Sequence, residues 1–333
     1  MTGSRRRNHD GPKVPFLSRV FLAGVTVALI AGAVLRPRDI PRPRRRPPVL
    51  AADHLLTGDG ARLPLSSWLP DKPPVAVVLG LHGYGDYRAA FGLAARWLAA
   101  RRIAVYAYDQ RGFGETDRRG YWPGADTLMD DCADAVRVLR DAHPGLPLAL
   151  LGESMGGSVA LAGVGSGRVV GVDRLIVAAP GVRGGVPLRQ LHDLALRLGA
   201  LALPWLVVEL RRGGRPWLDP DESRRLADDP LILRHLSVGT YDGLIELANR
   251  ATADADRDLP LTLLLYGELD GTIPRVAIDD LALGLGDRCT LRLYPERHHL
   301  LLHESDAEEV FADCLRWLQQ DAPARATQEP RSA

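Results

Sequence analysis

Residues 148–161 read LALLGESMGGSVAL, and this stretch decides the fold. It opens with four apolar residues, as in a strand buried on both faces, and it ends in a run typical of a helix. Gly152 and Gly156 complete the pattern G-x-S-x-G around Ser154. Between a strand and a helix, this pattern predicts a tight turn that lifts the Ser154 hydroxyl above the sheet edge as a nucleophile. A plain glycine-rich turn is the alternative.

Strand-like and helical patterns alternate on both sides of this turn. The predicted strands are residues 49–56 and 62–69, which form a hairpin, and then 75–81, 103–108, 148–152, 175–179, 261–266 and 290–294. The predicted helices are residues 89–100, 127–142, 155–163, 274–283 and 306–320. Such alternation predicts an α/β fold with a mostly parallel sheet flanked by helices. The Leu-rich segment 181–259 breaks the alternation and is predicted to be an inserted helical cap.

A nucleophilic serine needs a base, and the base needs a group that orients it. In folds with this turn, an acid and then a histidine follow the serine along the chain. Asp270 lies just beyond the predicted strand 261–266 and is predicted to be the acid, although it could instead only cap the next helix. Glu268 is the weaker alternative. His298 and His299 follow the last predicted strand, and one of them is predicted to be the base.

A second glycine-rich turn, HGYG at residues 82–85, follows the predicted strand 75–81. A turn at that place can aim a backbone N–H at the negative oxygen that develops during acyl transfer. The N–H groups of Tyr84 and Met155 are therefore predicted to form an oxyanion hole.

Together these motifs resemble those of the monoacylglycerol lipase and lysophospholipase branch of the α/β-hydrolases. The matching stretches are LHGYGDY at residues 81–87, YDQRGFGETD at 108–117, LGESMGGSVAL at 151–161, DDPL at 228–231, LLLYGELDGTIP at 263–274 and YPERHHLLLHE at 294–304. The resemblance implies the α/β-hydrolase fold over about residues 50–320, with Asp109 and Arg111 in a structural turn. It also selects His299 as the base, because the family's histidine stands five residues after a tyrosine and five before a glutamate.

The resemblance implies an ester hydrolase that acts on monoacylglycerol, lysophospholipid-like or similar carboxylic ester substrates. In the predicted mechanism, His299 takes the proton of Ser154, the serine attacks the ester carbonyl, and water frees the acyl-enzyme. A peptidase or an acyltransferase of the same fold is an alternative, and a catalytically silent binding module is another. The leucines of the Leu-rich segment 181–259, among them those between residues 188 and 201, either hold an acyl chain or cover the sheet. No cofactor is implied, and no metal is predicted, since the three cysteines lack metal-ligand spacing.

Charge is distributed unevenly along the chain. Residues 1–48 hold eleven arginines and lysines against two aspartates, a net charge of +9, whereas the whole chain of 333 residues carries +1. The remaining residues therefore carry a net charge of −8. A basic head on an acidic body argues against nucleic acid as a partner and suits contact with anionic lipid.

Residues 16–35, FLSRVFLAGVTVALIAGAVL, form an apolar segment that only Arg19 interrupts. Twenty helical residues rise about 30 Å, the thickness of a hydrocarbon core. This predicts a single-pass transmembrane helix. One alternative is a buried core helix. The other is a cleaved signal peptide, which would make the protein secreted or periplasmic. The chain is thus predicted to comprise an anchor with a Pro- and Arg-rich spacer (1–48), a hydrolase domain (49–320) and a disordered tail (321–333). The sequence leaves the oligomeric state open.

Overall fold

The computed structural model describes residues 43–44, 46–184, 189–209, 220–254, 259–304 and 306–320. The strands are β1 (Val49–Leu50), β2 (His54–Leu56), β3 (Arg62–Trp68), β4 (Ala76–Leu81), β5 (Ile103–Tyr108), β6 (Leu148–Glu153), β7 (Arg174–Ala178), β8 (Val207–Glu209), β9 (His235–Ser237), β10 (Leu261–Gly267) and β11 (Cys289–Tyr294). The helices are α1 (Gly92–Ala99), α2 (Ala125–Ala142), α3 (Met155–Gly165), α4 (Arg189–Ala202), α5 (Pro220–Asp228), α6 (Val238–Asp254), α7 (Arg275–Leu285) and α8 (Glu308–Gln319). Short 3-10 helices span Arg88–Phe91 and Gly286–Arg288.

Nine of the described strands form one sheet, in the order β1-β2-β3-β5-β4-β6-β7-β10-β11. The strands from β5 to β11 in this order run parallel, and β1 to β3 add an antiparallel edge. From β4 the chain first goes to β5 on one side and then to β6 on the other. The carboxyl ends of β4 and β6 therefore lie side by side, where sheets of this kind bind ligands.

Side chains of the central strands alternate between two cores. Val77 and Leu79 of β4 pack in the core that includes residues of α2, α3, α6 and α7. Val78 between them packs in the opposite core, with residues of α1 and α8. This period of two is that of a strand covered on both faces. The predicted mostly parallel sheet with flanking helices is confirmed.

The first predicted strand, residues 49–56, is in fact two short strands. The chain reverses after β1, and the N–H of Ala51 donates to the carbonyl of His54 at 2.9 Å. β1 and β2 then pair antiparallel, and β2 pairs in turn with β3. The apolar run is continuous in sequence, but its middle residues form this turn.

Between β7 and β10 the chain leaves the sheet, and we call residues 181–259 the insert. Its described part holds α4, α5, α6 and a two-stranded antiparallel sheet of β8 and β9, so it is not made of helices alone. α6 packs against α3, the helix that follows Ser154, and α4 packs against α6. The insert therefore rests on α3, the helix that follows β6 and Ser154.

The last part of the predicted spacer is bound to the body. The Arg44 guanidinium lies 2.8 Å from Asp131 and also contacts Asp134, both on α2. The N–H of Arg46 donates to the carbonyl of Gly58 at 3.1 Å. Gly58 lies in the turn between β2 and β3, and because β3 is antiparallel to β5, this turn lies near the carboxyl end of β5.

The predicted membrane segment, residues 16–35, and the predicted tail, residues 321–333, lie outside the residues that the structure describes. Within the described residues, no helix has the length and apolar character needed to cross a bilayer.

Candidate active site

Ser154 occupies a strained turn between β6 and α3. Its φ is 51° and its ψ is −116°, a left-handed conformation that is rare for a residue with a side chain. A Cβ added to Gly156 would overlap the carbonyl oxygen of Leu81, and one added to Gly152 would stand 2.6 Å from the backbone of Gly156. Strand, turn and helix can approach this closely only because both flanking residues are glycines.

The structure brings Ser154, His299 and Asp270 into one line of hydrogen bonds. His299 Nε2 lies 3.0 Å from the Ser154 hydroxyl oxygen, and His299 Nδ1 lies 2.8 Å from Asp270 Oδ2. A carboxylate can only accept, so Nδ1 carries the ring proton and Nε2 is left to accept from the serine hydroxyl. This is the geometry that a general base requires.

Asp270 is fixed from two sides. Its side chain is fully buried, and its second oxygen accepts the N–H groups of Thr272 at 2.6 Å and Ile273 at 3.1 Å. The same carboxylate thus closes the turn before α7 and orients the histidine. Glu268, the alternative acid, instead forms a half-exposed ion pair with Arg275 at 3.0 Å.

His298 faces a different partner from that of His299. Its N–H donates to Glu304 at 3.0 Å, and its ring Nδ1 stands 3.6 Å from the same carboxylate oxygen. Gly267 allows this packing, because a Cβ there would overlap the carbonyl oxygens of Arg297 and His298. Of the two adjacent histidines, it is His299 that reaches Ser154.

The predicted oxyanion residues lie beside the serine. A Cβ built on Gly83 would stand 3.5 Å from the Cβ of Ser154, so the loop that carries Tyr84 passes directly along the nucleophile. Met155 is the first residue of α3, where backbone N–H groups lack an acceptor within the helix. Tyr84 and Met155 line the same cavity as Ser154.

His82 shapes the oxyanion loop, a role that the sequence reasoning missed. Its Nε2 accepts the N–H of Gln110 at 2.9 Å, so the proton is on Nδ1, which donates to the carbonyl of Gly83 at 2.9 Å. Burial lowers the pKa of His82 below its ordinary value, in keeping with this neutral ring. A histidine directly before a glycine, at the end of a buried strand, is the signal that could have revealed it.

Asp109 and Arg111 make the structural contacts that the resemblance implies. Asp109 is buried and accepts the N–H of Arg88 at 2.9 Å. Arg111 lies 2.7 Å from Asp59 and 2.8 Å from Asp131, and so joins the β2–β3 turn to α2.

A cavity of about 520 Å³ opens on the serine. Ser154, His299 and Tyr84 all line it. Its apolar wall comes mainly from the insert and the residues around it: Val182, Leu226, Leu236, Leu244, Ile245, Leu247, Ala248 and Ile273. The walls are mainly apolar, as in sites that hold hydrophobic ligands. Within the described residues, no cluster of histidine, cysteine, aspartate and glutamate could hold a metal ion.

The leucines singled out in the sequence lie elsewhere. Leu191, Leu194 and Leu198 are 60%, 54% and 50% exposed on α4. None of the three lines the cavity or belongs to the described cores, so neither reading holds for them. Other leucines of the same segment do line the cavity: Leu226, Leu236, Leu244 and Leu247. The physical reason is that α4 packs against α6, and it is α6 that faces the cavity. Leu188 lies outside the described residues.

Comparison with known proteins gives a consistent picture. A family model described as "Serine aminopeptidase, S33" matches residues 72–306. Monoacylglycerol lipase of Mycolicibacterium smegmatis is 27% identical over 277 residues, which cover 80% of this chain and 96% of that enzyme. Monoglyceride lipase of Homo sapiens is 27% identical over 304 residues, which cover 86% of this chain and 98% of that enzyme.

A solved structure shares the architecture. A soluble variant of monoglyceride lipase from Saccharomyces cerevisiae matches with a TM-score of 0.69 at 20% identity, over 84% of this chain and 98% of that one. At 20% sequence identity, this similarity shows a shared fold.

Proposed function

The chain belongs to the serine aminopeptidase S33 family (Hydrolase_4), within the monoacylglycerol lipase-like branch of the α/β-hydrolases, and from that premise we propose that it cleaves monoacyl lipid esters such as monoacylglycerols. It is a carboxylic ester hydrolase. The observation that carries the finer proposal is the line of hydrogen bonds from Asp270 through His299 to Ser154, on the wall of a mainly apolar cavity.

The first half of the proposed reaction transfers the acyl group to the enzyme. His299 Nε2 takes the proton of Ser154 as the serine oxygen attacks the ester carbonyl carbon. The N–H groups of Tyr84 and Met155 hold the negative oxygen of the tetrahedral intermediate, and Asp270 stabilises the positive imidazolium. His299 then gives its proton to the leaving alcohol, and the acyl group remains on Ser154 as an ester.

The second half releases the acid. A water molecule gives a proton to His299 and attacks the acyl carbon, forming a second tetrahedral intermediate in the same oxyanion hole. When this intermediate collapses, the carboxylic acid leaves and His299 returns the proton to Ser154. The chemistry needs no cofactor.

The cavity supports a monoacyl substrate. One apolar space of about 520 Å³ beside Ser154 suits one acyl chain. Each buried methylene contributes about 0.8 kcal/mol, so a long chain gains considerable binding energy there. We propose that the insert acts as the cap over this site, since α6 supplies much of the wall. Lysophospholipid-like esters also carry one acyl chain, and their hydrolysis should be compared with that of monoacylglycerols.

A peptidase finds no specific support in the cavity. A site for a substrate ammonium group needs a carboxylate that is still available. Among the residues that the structure describes, two carboxylates lie on the cavity wall, those of Asp86 and Glu153. Asp86 already pairs with Arg225 at 2.7 Å, and Glu153 with His303 at 2.6 Å.

We also propose that residues 16–35 anchor the enzyme in a membrane, as a single-pass protein whose domain at residues 49–320 meets lipid substrates. The twenty-residue apolar stretch and its basic flanks support this proposal.

An activity panel tests the proposed reaction. The purified protein should hydrolyse monoacylglycerols faster than aminoacyl anilides and should react covalently with a fluorophosphonate probe. Ser154→Ala should lose the labelling and roughly 10⁴-fold or more of the turnover. Ser158→Ala is the matched control, because Ser158 also lines the cavity but donates to the carbonyl of Gly181 at 2.7 Å. If Ser154→Ala keeps a tenth of the wild-type activity, the assignment is wrong.

A further inference from the structure

A buried series of polar side chains connects the insert to the turn that carries the serine. Arg225 of α5 lies 2.7 Å from Asp86 Oδ2, in the loop after β4, and 3.3 Å from Nδ1 of His303, in the loop after β11. His303 Nε2 lies 2.6 Å from Glu153 Oε2. Glu153 directly precedes Ser154 in the chain. One arginine of the insert thus contacts both sides of the site.

From this series we propose that Arg225 is a positioning residue for ester hydrolysis. It fixes the loop that carries Tyr84 and the turn that carries Ser154 relative to each other. The inference rests on the proposed roles of these two residues and adds a third element, the insert, to the machinery that aligns them.

The burial of its partners makes the arginine important. The side chains of Asp86, His303 and Glu153 are only 6%, 2% and 1% exposed. A buried carboxylate without its partner raises the free energy of the folded state, and neighbouring groups shift to supply another hydrogen bond. Removing the Arg225 guanidinium would leave Asp86 without this ion pair, on the wall of the cavity that also contains Ser154.

Arg225 also sets the direction of the hydrogen bonds. A guanidinium has donors only, so Nδ1 of His303 accepts from Arg225, and the ring proton is on Nε2. That proton is donated to Glu153. The N–H of Leu302 donates to the other Glu153 oxygen at 3.3 Å. The carboxylate next to the nucleophile is therefore held by groups that Arg225 and the β11 loop orient.

On the other side, Asp86 determines the shape of the oxyanion loop. Its Oδ1 accepts the N–H of Tyr87 at 2.8 Å, and its own N–H donates to the carbonyl of Gly83 at 3.3 Å. The second bond closes a turn that contains Tyr84. The insert holds this loop at a second point, where the N–H of Leu233 donates to the carbonyl of Gly85 at 2.8 Å. A shift of Asp86 would therefore displace the backbone that is proposed to bind the oxyanion.

The test compares Arg225→Gln with Arg224→Gln. Arg224 is the exposed neighbour on the same helix, so the control makes the same chemical change outside the series. We expect Arg225→Gln to lower kcat on a soluble short-chain ester about tenfold, with KM changed less than about twofold. The rate of labelling by a fluorophosphonate should fall by a similar factor, because that reaction also develops charge on an oxygen in the oxyanion hole. Arg224→Gln should match the wild type in both.

Two further variants separate positioning from folding. Arg225→Lys keeps the charge but cannot span Asp86 and His303 with one planar fork, so its kcat should lie between those of Arg225→Gln and the wild type. If Arg225 acts through Asp86, the double variant Asp86→Asn with Arg225→Gln should be no slower than Asp86→Asn alone. A wild-type kcat in Arg225→Gln, or in Arg225→Lys if the first does not fold, would overturn the inference. Failure of the proposed function is distinguishable, because Ser154→Ala would then stay active.

Discussion

His298 and His299 are neighbours in the chain, yet at the scale of single residues they have different tasks. His299 lies between Ser154 and Asp270, whereas His298 is bound to Glu304. His299→Ala should lower turnover of a soluble ester roughly 10³-fold or more, as loss of a general base does. His298→Ala should cost far less, through loop packing alone. If His298→Ala is the inactive variant and His299→Ala is not, the assignment is wrong by one residue.

Asp59 tests the electrostatics of the β2–β3 turn. Burial alone would raise its pKa, but hydrogen bonds from Arg111 and Thr57 lower it below the ordinary value. A carboxyl with a lowered pKa stabilises the folded state at pH values above its unfolded pKa, and this contribution is lost as the pH falls below that value. Asp59→Asn should therefore lower Tm at neutral pH, and the difference from the wild type should shrink below about pH 4.

Thermal denaturation over a pH series measures this effect. The control is Asp71→Asn, which changes an exposed aspartate in the loop before β4 and should leave Tm unchanged. A difference between Asp59→Asn and the wild type that grows as the pH falls would contradict the expected sign.

The sequence could reveal those residues whose role is marked by a local motif. Ser154, Asp270 and His299 were predicted because each sits in a motif next to a strand end, and the structure brings the three together. Arg224 and Arg225 are adjacent and chemically identical, and nothing in the sequence separates them. The structure places Arg224 at the surface and Arg225 against Asp86, 139 positions away in the sequence. Such long-range pairing has no local signature.

At the scale of elements, α6 bounds the cavity that is proposed to hold the acyl chain. Ala248 of α6 is nearly buried and lines the cavity. Ala248→Phe adds a ring to this wall, so kcat/KM for a long-chain monoacylglycerol should fall about tenfold while that for an acetate ester changes less than about twofold. Leu194→Phe on the exposed face of α4 is the control and should change neither. Equal losses on both substrates would show that Ala248 supports the core and not the pocket.

The periodicity of the sequence predicts that elements exist but not what covers them. The continuous apolar runs predicted the central strands, because these strands are buried on both faces. The apolar spacing in α4 predicts a helix, and the helix is there, yet three of its leucines are exposed: Leu191, Leu194 and Leu198. A helix with an apolar face needs a partner, and the pattern does not name it. The short strands β8 and β9 are too brief for periodicity to reveal them.

At the scale of the whole molecule, the head and the body can be separated by truncation. Residues 43–333 should fold and hydrolyse a soluble ester with wild-type kcat, because the sheet and the proposed triad lie within them. Residues 49–333 should also be active but should have a Tm lower by a few degrees, since they lack Arg44 and its ion pairs with Asp131 and Asp134.

Activity and Tm of the two truncated chains are the readouts. The matched control is Arg44→Gln in the chain of residues 43–333, which should reproduce the lower Tm. A folded but inactive chain from residue 49 onward would mean that the head contributes to catalysis.

The ion pairs of Arg44 with α2 attach the end of the predicted spacer to the body at a fixed point. The linker that remains between the proposed anchor and this point is short. Nine peptide bonds link Leu35, the end of the proposed anchor, to Arg44. Fully extended, they reach roughly 30 Å. The attachment lies near the carboxyl end of β5, on the edge of the sheet that also carries Ser154. With the anchor in a bilayer, the body would be held at that point, with the edge of the sheet that carries Ser154 near the lipid. Enzyme and lipid substrate would then meet by diffusion within the plane of the membrane.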